Sequence, residues 1–307
     1  MRTKDTNQVH QECLQQGESE NFAVAEMCEA LEVSRSGFYR LNRQEPSKRQ
    51  LENERITQEI RDIHSHRHMC SYGSPRVTIE LRKRGHETIS ENRVARLMQE
   101  NEIVARFGKP FRPKTTQVDN HQRFSPNLVS QNSFPNHPGE IVVSDITYIP
   151  TREGWLYLAV VVDLCSRAVL GWKIHSTLET DKLVMPALNR TLETGILHPR
   201  AIFHSDRGCQ YTSKPFRARL KASRMRQSMS ACGYCYDNAF CESFFATLKA
   251  EAFPPTGVFE TMAAAKLAIF DYIETFYNSK RLHSSLDYQC PNEILNFYFP
   301  KQHYHLN

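Results

Sequence analysis

Three acidic residues lie in sequence contexts that are unfavourable for an acidic side chain without a functional role. Asp145 lies within the strand-like run VVSDITY, although aspartate has a low strand propensity. Asp206 follows the apolar run AIFHS, and Glu242 lies within the aromatic stretch AFCESFF. Three clustered carboxylates would repel one another unless cations intervened, and carboxylate and phosphate oxygens suit Mg²⁺. The pattern predicts a magnesium site, whereas any one of these acids alone would more often cap an element or face solvent.

The predicted elements can bring the three acids together. The C-terminal half alternates strand-like runs with helical patterns: strands at 140–149, 155–163 and 167–174, a helix at 181–194, a strand at 200–205, a helix at 213–223, a strand at 226–230, and helices at 234–251 and 259–278. The order βββαβαβα is that of the α/β ribonuclease H-like fold, a mixed sheet with helices on its faces. There the first strand is central and the fourth lies beside it, so Asp145 and Asp206 can meet and the next helix adds Glu242.

Spacing and neighbouring acids complete this prediction. Sixty residues separate Asp145 from Asp206, and 35 separate Asp206 from Glu242. Two further acids, Asp163 and Asp237, are interpreted as structural, because one ends a strand and the other precedes a helix as an N-cap.

The N-terminal part contains two predicted helix-turn-helix units. In the first unit, helical spacing joins four apolar side chains: Val24, Met27, Cys28 and Leu31. Ser34 is expected to cap the next helix, which carries Arg35 and Arg40.

The second unit is strongly basic. The run PRVTIELRKRG closes with Gly85 as its C-cap, and Ser90 caps a helix that turns Arg93 and Arg96 outward. Residues 76–114 contain ten Lys and Arg against five Glu. Such a pair of helices is typical of DNA-groove binding, although a plain helical hairpin with a solvated basic face is the alternative for either unit alone. Two such units in tandem favour the DNA-binding interpretation.

Composition limits the class of protein. The 307 residues carry a formal net charge of +5, and the nine cysteines form no regular disulfide framework, which indicates reduced thiols and a cytoplasmic protein. The polar N-terminus does not resemble a signal peptide, and the longest apolar run, WLYLAVVVDLC, is too short to cross a bilayer.

A stretch rich in proline, asparagine and serine separates the two halves. The predicted domains are a helix-turn-helix unit at 1–45, a second DNA-binding region at 46–115, a linker at 116–138, a catalytic core at 139–300 and a tail at 301–307.

Several stretches resemble a known family. SDITYIPTREGWLYLAVVVDLCSRAVLGW, HSDRGCQYTS, SMSACGYCYDNAFCESFFATLKAE and YNSKRLHSSLDYQCP resemble the integrase core of bacterial insertion-sequence transposases. MCEALEVSRSGFY, YGSPRVTIELRKRG and NRVARLMQENEI are similar to their N-terminal region. More closely, they resemble the downstream-frame product of insertion-sequence family three, a relative of retroviral integrase, over about residues 22–291.

The resemblance implies a catalytic and metal-binding triad of Asp145, Asp206 and Glu242 that holds two Mg²⁺ ions, with Mn²⁺ as a substitute. Lys249 matches the family's basic position seven residues after the glutamate. Further DNA contacts are expected within or near the matching stretches: Arg207, Tyr211, Asn238, Arg281 and His283, beside Arg93, Arg96, Arg35 and Arg40 of the helical units.

The implied activity is DNA transposition. The enzyme would cleave DNA at the ends of its element and join the 3′-hydroxyl to target DNA, and its helical units would recognise the terminal inverted repeats. A homo-oligomer would hold two ends, and an upstream-frame protein with a helix-turn-helix and zipper would be a fusion or partner. The alternatives are a catalytically silent DNA-binding regulator and a structure-specific nuclease of the same fold.

Two departures and one further motif accompany the resemblance. Val142 stands where the family usually has tryptophan, and Cys209 where it commonly has glycine. A zinc site is a weaker hypothesis that rests on Cys232 and Cys235 and on the cluster of His64, His66, His68 and Cys70.

Overall fold

The computed structural model describes residues 24–30, 34–36, 46–106, 124–129, 135–230 and 239–300. The chain divides into two compact units, Met1–Ile56 and Thr57–Asn307. In the first unit, helix α1 spans Val24–Ala30 and buries Cys28, in agreement with the helical spacing. Most of the next predicted helix, including Arg40, lies outside the described residues.

The remaining elements follow in chain order. They are α2 (Lys48–Ser65), α3 (Ser74–Lys83), α4 (Glu91–Glu100), β1 (Ile141–Thr151), β2 (Gly154–Asp163), β3 (Val169–His175), α5 (Val184–Glu193), β4 (Ile202–Ser205), α6 (Cys209–Thr212), α7 (Lys214–Ala222), β5 (Arg226–Met229), α8 (Ala239–Ala252), α9 (Met262–Phe270), a π-helix (Asp271–Tyr277), a 3₁₀ turn (Ser284–Leu286) and α10 (Pro291–Tyr298). None of the helices among the described residues is long and apolar enough to cross a membrane.

The five strands form one mixed sheet in the order β3-β2-β1-β4-β5. Strands β1, β2 and β3 form an antiparallel meander, whereas β4 runs parallel to both β1 and β5. The predicted ribonuclease H-like arrangement is therefore confirmed, with the first strand central and the fourth beside it. Ser144 pairs with Ser205 across β1 and β4, so Asp145 within β1 and Asp206 just after β4 are the next residues after this pair.

One face of the sheet packs against α5, α7 and α10. Buried side chains from strands and helices meet there, such as Val161, Leu188, Phe216 and Leu295. Gly171 of β3 lies so close to α5 that a β-carbon would collide with the backbone of Ala187. Only a glycine allows this approach, which fixes the distance between the sheet and α5.

The last long helix differs from its prediction. The sequence predicts one helix at 259–278, but the chain is α-helical only over α9 and then widens into the π-helix. Asn278, which follows, bonds through its side chain to both backbone groups of Val169 at 3.0 Å. The apolar spacing 272, 273, 276 and 277 fits either winding, so the sequence could not distinguish them.

Helices α3 and α4 form the predicted second helical pair. Helix α3 ends at Arg84 as its C-cap, one residue before the expected Gly85, which has a φ of +103°. The Ser90 hydroxyl accepts a hydrogen bond from the Arg93 N–H at 3.3 Å and so caps α4. Arg93 is partly exposed, and Arg96 is exposed with its Nε 3.6 Å from a Glu100 carboxylate oxygen. The predicted outward basic face is confirmed.

Part of the predicted linker packs on the edge of the sheet. Residues 124–129 lie beside β5, where the Leu128 N–H donates to the Ser228 hydroxyl at 2.8 Å and the Ser125 hydroxyl donates to Gln227 at 2.9 Å. This segment covers part of an edge strand that would otherwise expose its backbone groups.

Candidate active site

Asp145 occupies the middle of the central strand and is partly buried. Its Oδ1 accepts a hydrogen bond from the Ile146 N–H at 2.8 Å. Burial, followed by the charge of Asp206, raises the pKa of Asp145 to about 8. Glu242 raises this pKa further, whereas the Ile146 N–H and Lys249 lower it. The pKa of Asp145 therefore depends on the charges of both other acids of the predicted triad.

Asp206 directly follows β4 and is held by Gly208. The Gly208 N–H donates to Asp206 Oδ1 at 2.9 Å, and it opposes the burial that raises the pKa of Asp206. A β-carbon on residue 208 would lie only 3.0 Å from that oxygen. The role of Gly208 was not predicted, although its place two residues after the acid was a usable signal.

Glu242 lies in the first turn of α8 and is exposed. Its neighbours Cys241, Phe244 and Phe245 are buried. The aromatic side chains thus enter the core while the carboxylate faces outward. This arrangement resolves the apparent conflict in the stretch AFCESFF.

The buried thiol of Cys241 lies near enough to all three acids for their charges to affect its pKa. Burial raises the pKa of Cys241 well above its usual value, and the charges of Asp145, Asp206 and Glu242 raise it further. Within the described residues, no three His, Cys, Asp or Glu side chains lie close enough together to hold one metal ion. The donor set nevertheless fits Mg²⁺, because it consists of carboxylate oxygens whose mutual repulsion a divalent cation would relieve.

Lys249 lies two turns after Glu242 on the same side of α8. It is partly buried, and burial lowers the pKa of its ammonium group, while the charge of Asp145 raises it. This position is close to the acids, as the seven-residue spacing predicts.

Three other expected DNA contacts lie in the interior. The Tyr211 ring is buried, and its hydroxyl is hydrogen-bonded to the Ser144 hydroxyl at 2.9 Å. Arg281 is buried in an ion pair with Glu251 at 2.8 Å. His283 is also buried, and burial followed by the charge of Arg281 lowers its pKa to about 3, so the ring is neutral at physiological pH. In this structure all three side chains are buried and contact other protein groups, and the sequence alone does not distinguish a buried arginine from an exposed one.

The remaining predicted contacts are nearer the surface or not described. The Arg207 Nε donates to the Ser230 carbonyl at 2.8 Å, and its guanidinium lies 4.6 Å from the centre of the Phe124 ring. Arg35 is exposed. Asn238, like Arg40, lies outside the described residues.

The secondary predictions have mixed outcomes. Asp163 is structural: it is buried and accepts hydrogen bonds from the Gly139 and Ser166 N–H groups at 2.7 Å. Val142 is buried in β1, and Cys209 is exposed at the start of α6. Asp237, Cys232 and Cys235 lie outside the described residues.

The histidine cluster of the zinc hypothesis contributes to packing. His68 Nδ1 donates to the Glu251 carbonyl at 3.1 Å, and its Nε2 lies 2.9 Å from Asp271 Oδ2. Both ring nitrogens therefore contact protein oxygens.

Family models match most of the described chain. An HTH-like domain matches residues 50–111, and two models of an integrase core domain match residues 135–235 and 223–291. Among solved structures, the HTLV-2 integrase catalytic core domain in complex with magnesium aligns with a TM-score of 0.37 at 15% identity, over 52% of this chain and 97% of that one.

Curated relatives match nearly the whole length. The chain is 39% identical to the transposase for insertion sequence element IS904 of Lactococcus lactis, over 81% of this chain and 96% of the relative. It is 36% identical to transposase InsF for insertion sequence IS3A of Escherichia coli K12, over 90% and 94% respectively. The chain therefore belongs to the transposases of bacterial insertion-sequence family three.

Proposed function

We propose that this transposase cleaves and joins DNA strands at the ends of its insertion sequence, with Asp145, Asp206 and Glu242 as the catalytic carboxylates. The adjacent positions of Asp145 and Asp206, which follow the paired residues Ser144 and Ser205, carry the proposal, and the charge of Glu242 also raises the pKa of Asp145. An integrase core domain is that of a polynucleotidyl transferase, which supports the same class of reaction.

The same three carboxylates would hold two Mg²⁺ ions, with Mn²⁺ as a substitute. When bound, the ions supply activation of a water or DNA 3′-hydroxyl and stabilisation of the leaving oxygen. Asp145 favours its protonated form when no cation is near, because its pKa is raised to about 8. Loss of that proton therefore accompanies ligand formation.

Backbone groups would orient the ligands. The N–H groups of Ile146 and Gly208 each hold the Oδ1 atom of one aspartate. The exposure of Glu242 in the first turn of α8 leaves its carboxylate accessible to a DNA-bound site. Lys249 would contact a phosphate next to the one that is cleaved.

Recognition would rest on the helical units. Arg93 and Arg96 on α4, together with Arg35 and Arg40, would bind the terminal repeats. A homo-oligomer would bring two ends together, and an upstream-frame helix-turn-helix and zipper protein would be its fusion or partner.

The test is a cleavage and strand-transfer assay on labelled end DNA in Mg²⁺. Asp145→Asn, Asp206→Asn and Glu242→Gln should each abolish both reactions and keep end affinity within about twofold, because each removes a ligand but no phosphate contact. Asp181→Asn, at an exposed acid outside the cluster, is the matched control and should be fully active.

The outcomes separate the alternative functions. Near wild-type cleavage by any one triad variant would refute the triad. A wild-type chain that binds ends but never cleaves them would be a DNA-binding regulator, and one that cleaves without strand transfer would be a nuclease.

A further inference from the structure

Helix α8 carries a third acid on the side away from the proposed catalytic groups. Glu251 follows Glu242 by nine residues, which at about 100° per residue is two and a half turns, so the two side chains leave the helix on opposite sides. The Glu251 side chain is only 2% exposed, whereas Glu242 is exposed. The helix therefore has one outward acid and one deeply buried acid on opposite sides.

The buried carboxylate of Glu251 receives four hydrogen bonds. Oε1 accepts from the Ser71 hydroxyl at 2.9 Å and from Arg281 Nη2 at 3.0 Å. Oε2 accepts from Arg281 Nε at 2.8 Å and from the Tyr272 hydroxyl at 2.8 Å. Arg281 thus binds both oxygens, which fixes the plane of the carboxylate as well as its position.

The donors come from two distant parts of the sequence. Arg281 and Tyr272 belong to the end of the core, whereas Ser71 lies just before α3 of the HTH-like domain. His68, from the same segment as Ser71, donates to the backbone carbonyl of Glu251 at 3.1 Å. A further contact joins the same two parts of the sequence: the Leu282 N–H donates to the Tyr72 hydroxyl at 3.1 Å.

Such a network constrains the orientation of α8 more than it increases the free energy of unfolding. A buried ion pair costs desolvation energy that nearly offsets its attraction, but its hydrogen-bond geometry is demanding. Four bonds to one side of α8 restrict the rotation of the helix about its own axis. A rotation of one residue, about 100°, would turn Glu242 and Lys249 away from Asp145.

We propose that Glu251 is a positioning residue for strand cleavage, which holds α8 in the rotation that directs Glu242 and Lys249 to the aspartates. The bond from Ser71 makes that rotation depend on the segment that leads into α3, so α8 is held to the helical pair of α3 and α4 within the unit Thr57–Asn307. This inference rests on the proposed function, because it assumes that Glu242 acts in cleavage.

Two mild substitutions test the proposal in the full chain. Ser71→Ala and Tyr272→Phe each remove one hydroxyl donor to Glu251 and keep the buried ion pair. Ser279→Ala is the matched control, because its hydroxyl bonds to the Thr275 carbonyl at 2.9 Å on the neighbouring π-helix. Single-turnover cleavage of end DNA in Mg²⁺ should fall about tenfold in both test variants, the scale of one hydrogen bond to a charged group. End affinity should stay within about twofold, and Ser279→Ala should match the wild type.

A double-mutant cycle separates positioning from general destabilisation. Because Ser71 would act through both Lys249 and Glu242, Ser71→Ala should slow cleavage less in a Lys249→Ala background than in the wild type, and the remaining loss should come from Glu242. Additive effects would contradict the proposal, as would a wild-type cleavage rate in either test variant or a loss of end binding that equals the loss of rate. Glu242→Gln keeps the two claims apart: if it cleaves normally, the proposed function fails, and if it is inactive while Ser71→Ala is fully active, only the positioning role fails.

Discussion

Asp145 is a predicted catalytic acid whose pKa is strongly raised by its surroundings. Its carboxyl lies in the central strand beside two other acids, and its pKa of about 8 is far above the usual 3.8. Aspartate is unfavourable in a strand, which already distinguished Asp145 in the sequence. In the structure its carboxyl is affected by burial and by the charges of two other acids. The fold maintains an unfavourable carboxylate where a cation would stabilise it.

This shift predicts a pH dependence of stability. The unfolded carboxyl loses its proton near pH 3.8 and the folded one near 8, so folding in metal-free solution takes up a proton between these values. The free energy of unfolding should therefore fall as the pH rises through this window. Asp145→Asn should flatten the decline, and Asp181→Asn should follow the wild type. Urea denaturation in chelator at several pH values measures this, and parallel curves for Asp145→Asn and the wild type would contradict it.

Other residues show what the sequence could not predict. The positions of the acids follow from spacing and strand order, because the sheet topology brings those positions together. Tyr211, Arg281 and His283 were expected to contact DNA, yet all three are buried. Their burial depends on packing between segments far apart in the chain, and Glu251 escaped notice for the same reason.

Among the helices and strands, α8 carries two of the proposed functional side chains and the buried Glu251. Its aromatic residues anchor it to the core, its outward face carries Glu242, and Lys249 follows two turns later. The strands and helices of the core agree with their predicted order, because alternating and helical apolar patterns are strong over these lengths. The π-helix and the packing of residues 124–129 on β5 were not predicted, since both depend on tertiary contacts.

Helix geometry predicts that Lys249 contacts one DNA phosphate. Lys249→Ala should weaken end binding and reduce the slope of log affinity against log salt by about 0.9, the value for one phosphate contact. Lys221→Ala, an exposed lysine on α7, is the control and should keep the wild-type slope. Binding titrations across a salt series decide this, and an unchanged slope and affinity for Lys249→Ala would mean that its ammonium group meets no phosphate.

The compact unit Thr57–Asn307 includes both the second helical pair and the integrase core. The sequence places a linker at 116–138 between them, because composition changes there. The contacts of Ser71, His68 and Tyr72 with the end of α8 and with Leu282 join the two regions, and no local pattern reports such contacts.

These contacts predict different behaviour for two truncated chains. A chain that begins at Pro46 keeps every contact to Glu251 and should melt close to the full-length protein. One that begins at Phe124 loses the hydrogen bonds from Ser71, His68 and Tyr72, and its melting temperature should be lower by roughly 5–10 °C. It should also bind end DNA and random DNA equally weakly. Thermal melting and DNA titration test both points, and equal melting temperatures for the two chains would contradict this account.

The central claim is that the three carboxylates place a metal ion on the phosphate that is cleaved. The most direct measurement replaces a non-bridging oxygen of that phosphate in end DNA with sulfur, because Mg²⁺ binds sulfur poorly and the softer Mn²⁺ binds it better. The wild type should cleave the sulfur substrate slowly in Mg²⁺ and recover in Mn²⁺, and Glu242→Gln should show no recovery. Cleavage of the sulfur and oxygen substrates at equal rates in Mg²⁺ would contradict it.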